Sequence, residues 1–429
     1  MSQIFFFKCT CIKQSSSFSW WQLLMLQDLL VNCSRIASKN RTCLAITLLL
    51  TLSVSPSYAT QNTNQIINIT YLKLQRDEFP GVPTYLASPE NEGISGAQSA
   101  LDDANKTGKF LGYQLQLDVI RVSDLAKLDK TQQTTIQSSH AVIIDSDPPF
   151  FDSLLQTLMA KQVRPLIINV RNHDNALRSK YCEAPILHVA PSYQMKTDAL
   201  GQWFRTKRIE DIAMLTGPNM EDSLFAKAFE KTAKQFKLSI VENKAWQFSF
   251  DLRRSAFNEI PAFTRSGDKY EAIFVADHAQ QFAYSLPYNT YYQVPISGSA
   301  GLQALGWHST HEQWGARQLQ GRFAEKFKRV MTEYDYFSYV AVTAVSTAVQ
   351  ASRTHSDKSF YQLLLSEKTS IAAYKGRQLS FAKSTRQLRQ PLILAHAGAL
   401  VTSAPLPGFL HQTNDLDTLG ASVTGCKEN

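Results

Sequence analysis

Three short polar groups, each placed just after a run of Val, Ile, Leu or Ala, concentrate the side chains in this sequence best suited to holding a small molecule. Asp145 and Ser146 close the run AVIID, Asn172, His173 and Asp174 follow PLIINV, and Asp277 and His278 follow AIFVA. Carboxylates, an amide, a hydroxyl and imidazoles at strand ends beside helix starts can fix the polar atoms of a ligand by hydrogen bonds. For Asp145 to Asp147 the competing reading is a helix cap. Tyr193, which opens a helix after Ser192, joins the candidates. Tyr284, Tyr288, Tyr291 and Tyr292 would add aromatic walls, or else pack on a neighbouring helix. The residues expected to bind ligand are therefore Asp145, Ser146, Asn172, His173, Asp174, Tyr193, Asp277 and His278.

Other constellations fail on spacing. His308, His311 and Glu312 (HSTHE) put two imidazoles a helical turn apart, as zinc ligation needs. The acid follows both histidines, however, and cannot take the place it holds in HExxH or HxxEH. Gly298, Gly301 and Gly306 follow a strand, but GxGxxG counted from Gly298 would need glycines where Ala300 and Gln303 stand, so a turn between lobes is expected instead. The sequence has no GxSxG elbow and no GxxxxGK[ST] loop. The residues thus predict neither catalysis, nor a metal, nor a cofactor.

The elements that would position these groups alternate. Ile66–Leu74, Tyr113–Val122, Ala141–Asp145, Pro165–Val170 and Ile186–Ala190 read as strands, with helices at Gly96–Asn105 and Phe151–Lys161. The alternation restarts with a helix over Tyr193–Arg208, a strand at Asp211–Thr216 and a helix at Ser223–Lys237 carrying Phe225, Phe229 and Phe236 on one stripe. Leu238–Glu242, Ala272–Ala276 and Val294–Ser297 are further strands, Tyr336–Ser352 is a long Ala/Val-rich helix, and Gly376–Ala404 adds short strands. Continuous Val/Ile/Leu runs indicate parallel strands covered on both faces. The expected fold is α/β, two doubly wound Rossmann-like lobes with a hinged cleft. The chain would switch lobes near Val189 to Ser192 and return near Pro295 to Gly301. The division is residues 60–190 plus 298–352 as lobe I and 191–297 plus 353–429 as lobe II. Ligands in such sheets sit beyond the carboxyl ends of the strands, here the loops after Ile144, Val170, Thr216 and Ala276.

Residues 1–59 read as leader and signal peptide: Arg35, Lys39 and Arg41 flank the apolar run Leu44–Val54, and Ser57-Tyr58-Ala59 suits cleavage after Ala59. An uncut membrane anchor is the alternative, although Ser53, Ser55 and Pro56 interrupt a run already short of the roughly 20 apolar residues a span needs. Met25 is a simpler start than Met1. The protein is expected in the periplasm. The chain carries a net charge of +8, and removing five leader cations and one anion leaves +4, with no dense basic and aromatic patch for nucleic acid. Four of the six cysteines lie in the leader. The remaining pair, Cys182 and Cys426, suggests one disulfide in an oxidising compartment, with two free thiols as the alternative.

In its first strand, its GAxxAxxxAN-like helix (Gly96–Asn105) and its alternation, the mature chain resembles the type I periplasmic substrate-binding proteins, the group of the branched-chain amino-acid receptors of ABC importers. Three blocks, Ser285–Phe323, Gly376–Ala395 and Gly408–Gly420, closely resemble the binding-protein-like component associated with PQQ-dependent alcohol dehydrogenase systems. That resemblance implies an exported solute-binding protein taking a small polar ligand, with ABC transporter membrane subunits as partners and a link to a PQQ-dependent alcohol dehydrogenase system. It also implies cysteines corresponding to Cys182 and Cys426. The turn Val170-Arg171-Asn172-His173-Asp174 lacks the serine and threonine set of the amino-acid receptors, which argues against an amino-acid ligand; Asp277 corresponds by position to their lobe-two acid. A reading of another class is a periplasmic assembly or interaction partner of the quinoprotein dehydrogenase that binds no soluble ligand.

Overall fold

The computed structural model describes residues 65–75, 87–160, 165–247 and 256–427, all within one compact unit, Thr63–Asn429. The leader, the cleavage position after Ala59 and the choice between Met1 and Met25 lie outside the described residues, as does Lys161 at the end of one expected helix.

The first lobe is built on β1 (Gln65–Leu74), β2 (Tyr113–Val122), β3 (Ala141–Asp145), β4 (Leu166–Asn169) and β5 (Ile186–His188). They form a five-stranded parallel sheet in the order β2-β1-β3-β4-β5. Helices α1 (Ile94–Leu111), α2 (Lys130–Ser138) and α3 (Pro148–Ala160) make the crossovers. The burial explains the sequence pattern: along β3, Ile143 joins one apolar core, while Val142 and Ile144 join another on the opposite face. Because successive side chains point to opposite faces, only a strand covered on both sides needs an unbroken apolar run.

The second lobe repeats the arrangement. After α4 (Tyr193–Lys207) come β6 (Asp211–Thr216), α5 (Met220–Phe236), β7 (Ser239–Ala245), α6 (Ala256–Phe263), β8 (Ala272–Ala276), α7 (Leu286–Asn289) and β9 (Ile296–Gly298). The strands are parallel in the order β7-β6-β8-β9. Met214 and Phe274 face one core, Ala213, Ile273 and Val275 the other. In α5, Phe225 and Phe229 are buried as the stripe predicts, and Phe229 stacks on Phe274 at 3.8 Å. In both sheets the order reverses beside the first strand, between β1 and β3 and between β6 and β8. These are the switch points at which a crevice opens beyond the carboxyl ends.

The rest of the chain is shared. Short β10 (Gln303–Leu305) pairs antiparallel with β14 (Leu392–His396), which pairs with β15 (Ala399–Ala404). Leu302, Ala304, Leu392 and Leu394 belong to the second lobe's core. Helices α8 (Ala316–Phe327), α9 (Glu333–Ser352) and α10 (Phe360–Leu364), with strands β11 (Ile371–Ala372), β12 (Gln378–Phe381) and β13 (Leu388–Arg389), lie with the first: Phe323, Val345, Ile371, Leu379 and Leu388 all enter its core. The packing therefore divides the chain differently from the sequence-based boundaries at two places. Residues 302–304 go with lobe II, and Leu364 to Leu388 go with lobe I, because their apolar side chains are covered there. The lobes are joined by three crossings, near 189–192, 305–307 and 389–392, and Cys182 and Cys426 form a disulfide with their Cα atoms 5.7 Å apart. Bridging residues 244 apart in sequence removes loop entropy from the unfolded chain worth about 5 kcal/mol in the chain-entropy model.

Two glycines set close approaches. Gly298 turns the chain out of β9 at φ 114°, where an added Cβ would meet Val275 O at 2.1 Å. Gly96 lets α1 cross α9, since a Cβ there would lie 1.8 Å from Asp335 O. Among the described residues no helix is long and apolar enough to cross a membrane. Gly96→Val must push α1 and α9 apart and is expected to lower stability by about 2 kcal/mol or more, read as a shift in the urea midpoint; an unshifted midpoint would contradict this contact.

At the second and third crossings Lys375 is buried, its ammonium donating to Gly306 O and to Pro391 O at 3.4 Å, above the rings of Trp307 and Tyr336. Burial pulls its pKa down to about 7, only partly opposed by Glu333. The unfolded chain binds this proton up to about pH 10.4, so stability rises with pH between about 7 and 10 by at most about 1.4 kcal/mol per unit. Lys375→Met should flatten that slope in denaturation curves taken at pH 7, 8, 9 and 10.

Candidate functional site

At the first switch point the carboxyl end of β3 and the turn after β4 bring Asp145 and Arg171 together. Arg171 Nε donates to Asp145 Oδ1, and its Nη2 donates to Glu92 Oε2 at 2.6 Å, just before α1 begins. The guanidinium lies 3.5 Å above the Tyr334 ring, and Tyr71 donates its hydroxyl to Asp145 Oδ2 at 2.9 Å. Burial opposes the charge on Arg171, but Asp145 and Glu92 outweigh it and hold its pKa well above the usual arginine value. Burial, reinforced by Asp145, likewise raises the Tyr71 phenol. Asp145 is thus an internal counter-ion, where the sequence offered it as a ligand contact.

The turn after β4 is shaped by Asn169, whose Oδ1 accepts from Asn172 N (2.8 Å) and whose Nδ2 donates to Asn172 O (2.7 Å). Asn172 Oδ1 accepts from Asp174 N at 2.9 Å, and Asp174 in turn caps the short turn at Asn175–Arg178. Two polar atoms at this end of the sheet, Ser146 Oγ and Asn172 Nδ2, are buried with no hydrogen-bond partner among the described residues. His173 points its Nδ1 at Pro191 O, 2.6 Å away. A carbonyl only accepts, so Nδ1 carries the proton and Nε2 is left as an acceptor, 3.4 Å from the Tyr334 hydroxyl. Burial, with Lys196 adding to it, lowers the His173 pKa and keeps the ring neutral.

From His173 a run of rings crosses to the second lobe. His173 lies 5.4 Å from Tyr193, and Tyr193 lies 5.2 Å from Phe225 and 5.3 Å from His278. At the second switch point Asp222, in the first turn of α5, accepts from both His278 N (2.7 Å) and His278 Nδ1 (3.0 Å). Lys196 of α4 and Glu333 of α9 form an ion pair at 3.0 Å across the same crossing. His173, Tyr193 and His278 therefore gather at one place between the lobes, with Arg171, Glu92 and Tyr334 beside them.

Asp277 stands apart. Its Oδ2 accepts from Phe282 N and Ala283 N at 2.8 and 2.9 Å, tying the loop after β8, and burial raises its pKa. The tyrosines expected as walls do not converge: Tyr288 is 83% exposed, and Tyr291 and Tyr292 pack edge to face beside Tyr270. The rings beside His173 and His278 are instead Tyr334, Tyr193 and Phe225. His308 bonds Thr310, His311 bonds Tyr374 O, and no group of three metal-ligating side chains occurs among the described residues. Arg171, Glu92, Tyr334, Phe225 and Lys196 are not among the residues that the sequence offers for the site. Arg171 is the cation within the turn already singled out, Lys196 lies one helical turn from Tyr193, and the others reach the site through long-range packing.

Replacing Arg171 with Met removes the guanidinium that bridges Glu92 and Asp145, a loss of about 3 to 5 kcal/mol. The urea midpoint of the variant against the parent protein checks this, and an unshifted midpoint would rule it out.

No family model matches the chain, and no curated protein matches it. Solved structures do. The ABC transporter substrate-binding protein from Sphaerobacter thermophilus superposes with a TM-score of 0.65 at 13% identity, covering 83% of this chain and all of that one (100%). A solute-binding protein of an ABC transporter from R. palustris, in complex with benzoate, gives 0.57 at 11% identity over 78% of this chain and 95% of its own. The branched-chain amino acid transporter substrate-binding protein of Streptococcus pneumoniae, in complex with isoleucine, gives 0.54 at 13% identity over 79% and 99%. With two parallel-sheet lobes, matching switch points and these likenesses, the chain has the fold of the type I periplasmic binding proteins.

Proposed function

We propose that this chain is an exported, non-catalytic solute-binding protein that closes two lobes on a small polar ligand and delivers it to the membrane subunits of an ABC transporter. The observation carrying this reading is the run His173–Tyr193–His278 with Phe225, which joins the two switch points across the crossing between lobes. In a hinged pair of lobes, closure brings such facing walls around a ligand, and the ligand shifts the open and closed populations by its difference in affinity for them. Ser146, Asn172, His173, Asp174, Tyr193 and His278 are the proposed contacts. Asp145 and Asp277 act one step back, by holding Arg171 and the loop after β8. Two of the solved structures with this fold carry benzoate and isoleucine. Here Arg171, beside the site, already has two carboxylate partners and Lys196 has Glu333, which favours a ligand with no carboxylate of its own.

The reading extends to periplasmic location after cleavage behind Ala59 and to a link with PQQ-dependent alcohol oxidation. The support for that link is sequence resemblance in Ser285–Phe323, Gly376–Ala395 and Gly408–Gly420, segments that include two of the lobe crossings. A thermal-shift screen of small alcohols, diols, amines and amino acids tests the function. A true ligand at about 100 times its dissociation constant should stabilise the protein by about 2.7 kcal/mol and compact it in solution scattering. Tyr193→Ala should weaken that ligand by about tenfold or more, or about 1.4 kcal/mol. Compaction unchanged in this variant and in Asn172→Ala would sink the proposed pocket. Response to no small molecule, with a quinoprotein dehydrogenase co-purifying, would favour an assembly partner.

A further inference from the structure

A cavity of about 270 Å³ lies at the hinge and includes none of Arg171, Tyr334, Phe225 or His278. It is formed where the first crossing (Ser192), the third (Gln387 to Arg389) and the C-terminal segment (Leu416 to Val423) meet. Glutamine side chains lace the two crossings together: Gln387 Nε2 donates to His188 O and Ala190 O, both at 3.1 Å, and Gln390 Nε2 to Val189 O at 2.7 Å. Anything held here touches both hinge segments.

The charge beneath the cavity is unusual. Arg178 is fully buried, and its N–H groups go only to neutral acceptors: Gln387 Oε1 at 2.7 and 3.0 Å, and the carbonyls of Asp174 (2.7 Å), Ala190 (2.7 Å) and Asn172 (3.4 Å). Beside it, buried Arg386 donates to the carbonyls of Leu177, Arg178, Lys180 and Tyr181 at 3.0 to 3.4 Å. Among the described residues neither guanidinium has a carboxylate at ion-pair distance, and only Asp174 offsets Arg178 from further away. The contrast with Arg171, which has two carboxylates, is direct. A buried cation without an anion is costly, and an anion in the adjoining cavity would relieve it. The lining is mixed: Ser384, Thr385 and the ion pair Arg389–Asp417 are polar, and Met195, Leu416 and Leu419 are apolar.

We propose that this cavity is a second binding site, distinct from the cleft, for a small amphiphilic monocarboxylate whose charged end meets Ser384, Thr385 and Arg389 over the Arg178–Arg386 pair and whose apolar end meets Met195, Leu416 and Leu419. Because both crossings line the cavity, its occupancy biases lobe closure by whatever difference in affinity the open and closed forms have. Isothermal titration of the full chain with hexanoate and with uncharged hexanamide, at constant ionic strength, tests it. Hexanoate should bind at least about tenfold more tightly than hexanamide, as expected when only the former carries an anion to the buried cations. Ala421→Trp, an exposed position at the cavity, and Ser384→Leu should each weaken hexanoate by about tenfold or more with circular dichroism unchanged, while Tyr193→Ala in the cleft leaves it intact. Should Ala421→Trp misfold, Ser384→Leu decides. Equal affinity for the amide, no binding of hexanoate, or loss of binding in Tyr193→Ala rather than in the cavity variants overturns the proposal.

Discussion

A parallel strand buried on both faces has only its ends left for chemistry, and the rest of this molecule follows from that constraint. Along β3 and β8 every side chain except Asp145, the last of β3, is committed to one core or the other. Polar groups therefore collect where the strands stop, and the reversal of strand order beside β1 and beside β6 holds the ends apart enough to leave a crevice. Two such sheets in one chain give two crevices, and the crossing at 189–192 sets His173 and Tyr193 between them.

Buried charge is treated in two ways. Around Arg171 the protein supplies its own anions, so the guanidinium serves as a rigid brace among β3, α1 and α9, and its face supports Tyr334. Around Arg178 and Arg386, among the described residues, it supplies carbonyl and amide oxygens and the Tyr361 side chain, which satisfy hydrogen bonds without a carboxylate to neutralise the charge. The first arrangement makes a site that does not call for a ligand anion; the second makes one that does.

Most of the architecture was legible because parallel strands announce themselves. Ala141–Asp145, Asp211–Thr216 and Ala272–Ala276 were read with their observed bounds. Helix α1 runs on to Leu111 beyond the expected Asn105, since Gly108 packs against Tyr113 and Gly112 supplies the left-handed stop. Helix α2 went unread: of its residues only Ile136 is buried, which leaves almost no periodicity to see. The proposed site is legible in part. His173, Asn172 and His278 follow strand ends, where the rule for such sheets looks, whereas Tyr334 and Phe225 arrive on helices remote in sequence. Asp145 and Asp277 also sit at strand ends, but their oxygens are engaged within the protein, by Arg171 and Tyr71 and by the loop after β8, and sequence shows where a carboxylate sits and not which way its oxygens are engaged.

The disulfide gives the hinge a property that its three crossings lack. Leu419 is packed in the second lobe and Cys426 is bonded to Cys182 in the first, so the C-terminal segment is a fourth link between the lobes, anchored covalently at its far end. Seven residues reach at most about 25 Å when fully extended. The segment therefore works as a tether of fixed length: it leaves small rotations of the lobes free, caps the widest gape they can reach, and makes residues 419–426 a mechanical stop.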